Sequence, residues 1–350
     1  MELMDFCRYP IIQAPMAGGP NTPELVAAVS NAGGIGSLAV PLLSPQAIAE
    51  QTEKVRALTR RPFMLNLFVQ QKPAPAARQV SEAAELLRPL WEPFGWSELP
   101  KPAKWCEDFQ PQFDALLEAR PALASFTFGI LTREQVDSLH RAGIFVVGTA
   151  TSVAEGQAWQ AVGADAVCAQ GIEAGGHRGT FIGAQNQGLG TMVLVPAMAS
   201  AVTIPVIAAG GIMDGRGIAA ALALGAEAAQ MGTAFLTTDE SGIHASYKER
   251  LLEARDAPAR AVTRLTRAFS GRYARGLVNR FMDTMEAVES QIPDYPVQNA
   301  LTGAIRAQAG RLNETELMSL WAGQGVSMVR AMPAARLIEQ LVAEWRSASH

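Results

Sequence analysis

Eight short apolar runs, each about the length of a strand buried on both faces, alternate along this chain with segments of helical periodicity. That alternation restricts the fold more than any other feature of the sequence. The runs cover residues 11–14, 35–38, 63–67, 124–128, 144–147, 166–169, 206–208 and 228–231. Helical patterns lie between them, at 23–32, 45–59, 133–141, 153–162 and 216–224, and several open with Thr or Ser where a cap belongs. Repeated βα units require a parallel sheet with right-handed crossovers. Eight of them close most simply into an α/β fold of the (β/α)8 TIM-barrel type. A doubly wound open sheet would need a G-x-G-x-x-G turn after an early strand. Gly33-Gly34-Ile35-Gly36 instead precedes the second run and lacks the third glycine.

Two regions fall outside the repeat. Residues from about 70 to 120, rich in Pro and Trp, read as an insertion of loop and helix after the third strand. The chain beyond about 260 shows no strand pattern and reads as a mostly helical C-terminal subdomain, a cap over one barrel mouth whose end packs back on the barrel. The expected organisation is a barrel over 1–260 and a helical substrate subdomain over 261–350.

Composition narrows the partners. With 350 residues, 49% hydrophobic and 18% charged, the chain can bury one large core. Its net charge of -4 and scattered Lys and Arg argue against nucleic acid and against an anionic membrane surface. Cys7, Cys106 and Cys168 form no CxxC pair, so neither a disulfide framework nor a zinc site is indicated. There is no signal-peptide pattern, and no run of about 18 uncharged apolar residues. A small-molecule partner and a cytoplasmic location are expected; the oligomeric state is not legible.

A barrel does its chemistry on the loops that follow its strands. The sixth run leads into Gln170-Gly171-Ile172-Glu173-Ala174-Gly175-Gly176-His177-Arg178-Gly179, a histidine among glycines and able to move protons near neutral pH. A core histidine is the commoner case, but a Gly-rich loop at a barrel mouth has no core to fill, so His177 is the candidate for chemistry. Glu173 rivals it as a base, or orients it, or pairs with Arg178. His140, His244 and His350 read as solvated or capping residues, and no second histidine stands at metal-ligand spacing. No metal is expected. After the seventh and eighth runs, Gly210-Gly211 and Gln230-Met231-Gly232-Thr233 have the form of a phosphate cradle, with backbone N–H groups and the next helix N-terminus facing an anion. Taken singly the glycines make tight turns; two adjacent units with the pattern favour a phosphate-bearing cofactor. Tyr295, and Trp321 and Gln324 in the tail, either close the pocket or pack the cap.

Together QAPMAGG, TPELVAAVSNAGGIGSLA, NLF, QGIEAGGHRGTF, PVIAAGGIMDGRGIAAALALGAEAAQMGTAFL, YPVQNALT and SLWAGQG resemble, in order, the bacterial class I nitronate monooxygenases, once called 2-nitropropane dioxygenases. The match runs from about Pro10 to Gly325. The resemblance implies an FMN-dependent enzyme, with Asn66, Gln170, Gly175, Gly211 and residues Gln230 to Thr233 holding FMN, Pro15 and Met16 beside the flavin ring, and His177 as the catalytic histidine. It further implies oxidation of nitroalkanes or nitronates, propionate 3-nitronate among them, with O2 through a flavin semiquinone to a carbonyl compound and nitrite. One departure stands out: Phe128-Gly129-Ile130-Leu131 lacks the proline expected two residues past the glycine. NAD(P)H-dependent flavin reductases of the enoyl-ACP or quinone reductase type share the histidine loop and the glycine pair. In them an arginine is expected where this chain has Ala234. A non-catalytic flavin-binding scaffold is the remaining alternative.

Overall fold

Each apolar run becomes a strand because it is covered on both sides, by the barrel interior and by a helix. The computed structural model describes residues 2–349, the side chain of Arg260 excepted, so His350 lies outside it. The first six strands are β1 (Ile11–Gln13), β2 (Gly36–Ala39), β3 (Phe63–Phe68), β4 (Leu123–Thr127), β5 (Phe145–Ala150) and β6 (Ala166–Gln170). A two-residue strand, β7 (Gly176–His177), stands outside the barrel, and β8 (Val206–Ala209) and β9 (Ala228–Met231) complete it. The parallel order is β1-β9-β8-β6-β5-β4-β3-β2. A parallel bridge from Ile12 to Ile35, with Gln13 N–H donating to the Ile35 carbonyl at 2.9 Å, draws the two ends together.

Ile12, Met64, Leu123, Val147, Cys168 and Ile207 fill the interior, and a short 3-10 turn places Leu3 and Phe6 under its N-terminal end. The outer layer is α1 (Pro23–Asn31), α2 (Pro45–Leu58), α5 (Phe109–Ala119), α6 (Arg133–Arg141), α7 (Val153–Val162), α8 (Thr191–Ala201), α9 (Gly215–Ala223) and α10 (Ala245–Asp256), while α3 (Ala77–Leu86) and α4 (Arg88–Trp91) lie outside it. Thr22, Ser44, Thr132 and Ser152 cap α1, α2, α6 and α7 with side-chain oxygens, as the sequence pattern requires. Trp159 of α7 is fully buried against Gly148 of β5, where a Cβ would come within 2.0 Å of the indole. That approach sets the α7–β5 distance.

Two expectations need correction. The chain beyond 260 does contain strands: β10 (Thr263–Thr266) and β11 (Ala274–Leu277) pair antiparallel, and β11 pairs in turn with β7. They are too short, and too rich in Arg and Gly, to give a period-2 signal. The region 70–120 is not one insertion either. Its last helix, α5, packs on α2 and β3 and so serves as the helix of the third barrel unit. The remainder, with α3 and α4, shares a second core with the tail, in which Leu87, Leu90 and Trp91 meet Phe281, Met285 and Ile305. The tail helices are α11 (Arg280–Glu286), α12 (Val297–Leu301), α13 (Gly303–Leu312) and α14 (Ala334–Ala348), and α14 packs against α9 and α1 on the barrel.

Candidate active site

His177 does not sit in an open loop. It lies in β7, opposite Ala274 of β11, so its backbone is fixed by sheet pairing with the tail. Gln170, at the end of β6, braces the same segment: its Nε2 donates to the His177 carbonyl at 3.0 Å, and its Oε1 accepts from Gly179 N–H at 2.9 Å and from Arg178 Nη1 at 3.1 Å. Buried Arg178 also donates to the Gly171 carbonyl at 2.8 Å. A second brace comes from Glu155 of α7, a fully buried carboxylate. It accepts from Thr151 Oγ1 at 2.8 Å, from Ile182 N–H at 2.7 Å, and from Phe181 and Thr151 N–H groups.

The His177 ring is surrounded by aromatic rings, with centroids at 5.3 Å for Trp321, 5.5 Å for Phe128, 5.9 Å for Tyr295 and 6.5 Å for Phe68. Tyr295 and Trp321 are thus brought to the histidine. Phe128 and Phe68 stack on each other at 4.0 Å. Phe128 has φ +79°, a left-handed conformation that costs a bulky residue about 1–3 kcal/mol and that marks functional positions. The sequence places 128 at the end of a strand; β4 instead stops at Thr127, and the strained turn swings the phenyl ring over the Arg272 guanidinium, 4.1 Å from its centroid. The position of the expected proline, 131, is held by Leu131, which is buried in the core.

His177 Nε2 lies 2.8 Å from Ser270 Oγ. The Ser270 hydroxyl donates to the Arg272 carbonyl at 3.0 Å, which leaves its oxygen as the acceptor for an Nε2–H. The network therefore assigns the Nε2–H tautomer, with an Nδ1 lone pair that meets no hydrogen-bond donor among the described residues. Desolvation, and then the positive charges of Arg272 and Arg306, push the imidazole pKa down to about 3. The free site holds a neutral histidine throughout the physiological range.

Glu173 is not the rival base that the sequence permits. Its carboxylate accepts from Thr191 N–H at 2.9 Å and Thr191 Oγ1 at 3.1 Å, and so ties the histidine loop to the start of α8.

The glycines after β8 and β9 face the same mouth. Gly210 and Gly211 have φ +110° and +74°, conformations closed to most side chains. The N–H groups of Gly211, Gly232 and Thr233 find no acceptor among the described residues, which is the donor set an oxyanion needs. The helix that was expected to add its positive end does not do so. Asp214 caps α9 through Gly217 N–H at 3.0 Å, and Glu344 accepts from Gly215 N–H at 3.0 Å, so that terminus already faces two carboxylates. Around the cradle, Thr233 Oγ1 accepts from Gly323 N–H at 2.9 Å, and Gly175 packs so closely on Ala322 and Gly323 that a Cβ would clash at 2.4 Å. Gln324 N–H donates to the Glu173 carbonyl at 3.0 Å, but its side chain is exposed and reaches nothing in the site.

Pro15 and Met16 are half-buried after β1, and Asn66 is buried in β3, with Nδ2 donating to Ser125 Oγ at 3.0 Å. Gln230 donates to Cys168 Sγ at 3.3 Å, and Met231 is buried. Sequence reasoning missed Ser270, Arg272, Arg306, Phe68 and Phe128. The first three lie in the tail, more than 90 residues from the histidine loop, and no periodicity signals them. A serine and an arginine in Ser270-Gly271-Arg272 would have been the available clue.

Comparison with known proteins agrees with this geometry. A family model for nitronate monooxygenase matches residues 1–344. A probable nitronate monooxygenase of Staphylococcus aureus (strain Newman) is 40% identical over 336 residues, 95% of this chain and 93% of that one. Among solved structures, nitroalkane oxidase from Streptomyces ansochromogenes superposes with TM-score 0.91 at 43% identity, covering 99% of this chain and 98% of the other. FabK from Thermotoga maritima superposes with TM-score 0.74 at 29% identity, covering 97% and 94%. A flavin-dependent oxidoreductase on a (β/α)8 barrel, this chain belongs to the nitronate monooxygenase family.

Proposed function

We propose that the chain is an FMN-dependent nitronate monooxygenase that converts alkyl nitronates and O2 to a carbonyl compound and nitrite. The observation that carries this reading is a neutral histidine with an unbonded Nδ1, enclosed by aromatic rings and beside the guanidinium groups of buried Arg272 and half-buried Arg306, at the mouth that also bears the N–H cradle. The residues fit the cofactor. Gly210, Gly211, Gly232 and Thr233 would take the phosphate, and Pro15, Met16, Asn66, Gln170, Gly175, Gln230 and Met231 would border the flavin. When bound, FMN supplies the redox step, taking an electron from the nitronate and passing it to O2.

The chain's own share is electrostatic and geometric. A nitronate is an anion, and the positive charge of Arg272, held in place by Phe128, meets it in a pocket that the aromatic rings keep largely free of water. With a neutral nitroalkane, Nδ1 of His177 receives the α-proton while Ser270 holds Nε2. A base held at a pKa of about 3 in the free site is weak, so preformed nitronates are the better substrates.

The test is nitrite release from an alkyl nitronate in air by the FMN-loaded protein. Nitrite in stoichiometric yield with the carbonyl product supports the reading. Flavin bleaching by NADH under anaerobic conditions, with no nitrite from nitronate, would assign a reductase instead.

A further inference from the structure

The end of the barrel opposite the mouth carries a cleft where β3 and β4 begin, about 340 Å³ in volume and within the size range of small-molecule sites. Arg56, Arg60, Arg61 and Arg120 line it, over a floor that includes Pro62, Phe63 and Pro121. No carboxylate lines it. In a chain whose net charge is -4, two separate segments thus bring four guanidinium groups to one concave surface.

The fold accounts for only one of the four. Arg56 pairs with Glu53 at 2.6 Å and donates to the Ala119 and Arg120 carbonyls, so it serves the C-terminal end of α5, as a cation at a helix end does. Arg60, Arg61 and Arg120 are exposed, lie past the last turns of α2 and α5, and form no side-chain hydrogen bond and no salt bridge among the described residues. Their backbones are nevertheless fixed. Arg61 N–H donates to Thr59 Oγ1 at 3.0 Å, and that hydroxyl donates in turn to Asn31 Oδ1 at 2.6 Å. Arg120 ends α5 in the left-handed region, at φ +43°, a position that glycine or asparagine usually fills. Such strain in a residue with a long side chain gathers at ligand sites.

We propose that this cleft binds an oligophosphate, a chain of linked phosphate groups carried either by a nucleotide or by inorganic triphosphate. Guanidinium forks match phosphate oxygens bidentately. Bidentate engagement of three forks asks for more oxygens than one phosphate group presents, and like charges gathered without a carboxylate repel one another until an anion lies between them. The apolar floor leaves room for a nucleotide base. The site lies at the far end of the strands from His177, and the inference does not rest on the nitronate reading.

The test is isothermal titration of the full-length, flavin-loaded protein with inorganic triphosphate, ATP and orthophosphate. Triphosphate should bind more tightly than orthophosphate by about tenfold or more, and its affinity should fall about tenfold in Arg60→Gln and in Arg120→Gln, as loss of a charge-assisted contact predicts. Both substitutions are at exposed positions, so the unliganded Tm, the bound flavin and the turnover of nitronate should be unchanged, which separates loss of binding from loss of fold. Arg336→Gln removes an exposed arginine outside the cleft and should bind triphosphate as the unaltered protein does. Tighter binding of ATP than of triphosphate supports the site and assigns the nucleotide as its ligand; equal or weaker binding of ATP supports it with the inorganic anion. Absence of triphosphate binding overturns the inference. So does an equal loss in Arg336→Gln, which would reduce the effect to net charge, and so does tighter binding of a single-stranded oligonucleotide than of triphosphate.

Discussion

His177 Nε2 and Ser270 Oγ stand 2.8 Å apart, across 93 residues of sequence. The contact joins the histidine loop of the barrel to the tail, and because the serine proton goes to the Arg272 carbonyl, the hydroxyl fixes which imidazole nitrogen is free. The base of the proposed reaction is therefore made by two parts of the fold. Neither part alone specifies the tautomer.

Replacing the histidine tests its role directly. His177→Asn should bind flavin but turn over neutral nitroalkanes about 10²–10⁴-fold more slowly, the range for losing a general base. Preformed nitronates, which need no proton removed, should lose much less. Oxygen uptake with each substrate measures the difference, and equal losses on both would refute the base assignment.

Ser270→Ala removes the group that holds Nε2. Turnover of nitroalkanes should fall about tenfold, less than for loss of the base itself, while Ser270→Thr, with its hydroxyl retained, should recover most of it. The pH profile distinguishes positioning from general damage: in the alanine variant the limb assigned to His177 should shift, whereas a merely destabilised protein keeps its position.

The depressed pKa of His177 makes two statements about pH. In the unfolded chain the imidazole titrates near 6.5, and in the fold near 3, chiefly through desolvation. Above 6.5 both states are neutral. As pH falls from about 6.5 towards 3, the unfolded chain takes up a proton that the folded one refuses, so this group's contribution to stability declines across that window. Likewise kcat/KM should show no limb near 6.5 that disappears in His177→Asn. A limb of that kind would show that the histidine titrates normally.

Glu155 accepts four hydrogen bonds, and an amide in its place presents a donor to groups that are themselves donors. Glu155→Gln should cost about 1–3 kcal/mol. That corresponds to a fall in Tm of roughly 2–4 °C per kcal/mol for a domain of a few hundred residues. Calorimetry of the flavin-loaded protein measures it, and an unchanged Tm would mean that the carboxylate does not brace the loop.

The sequence alone determined the barrel. Strands such as 63–67 and 228–231 are buried on both faces, so local hydrophobicity reports them without reference to the rest of the chain. It also singled out His177, Gly210-Gly211 and Gly232-Thr233, because glycines, at positive φ as at 210 and 211 or in a turn after a strand, leave a mark at their own positions. The tertiary structure decided what surrounds them. Ser270, Arg272 and Arg306 carry no periodicity, and they gain meaning only when β11 pairs with β7 and brings the tail to the histidine. Glu173 and Glu155 show the same limit. One is a plausible base and the other an unremarkable helix residue until folding engages the first with Thr191 and seals the second under the loop. Strand burial is a local property, whereas the charge and protonation of a site depend on partners that only folding brings together.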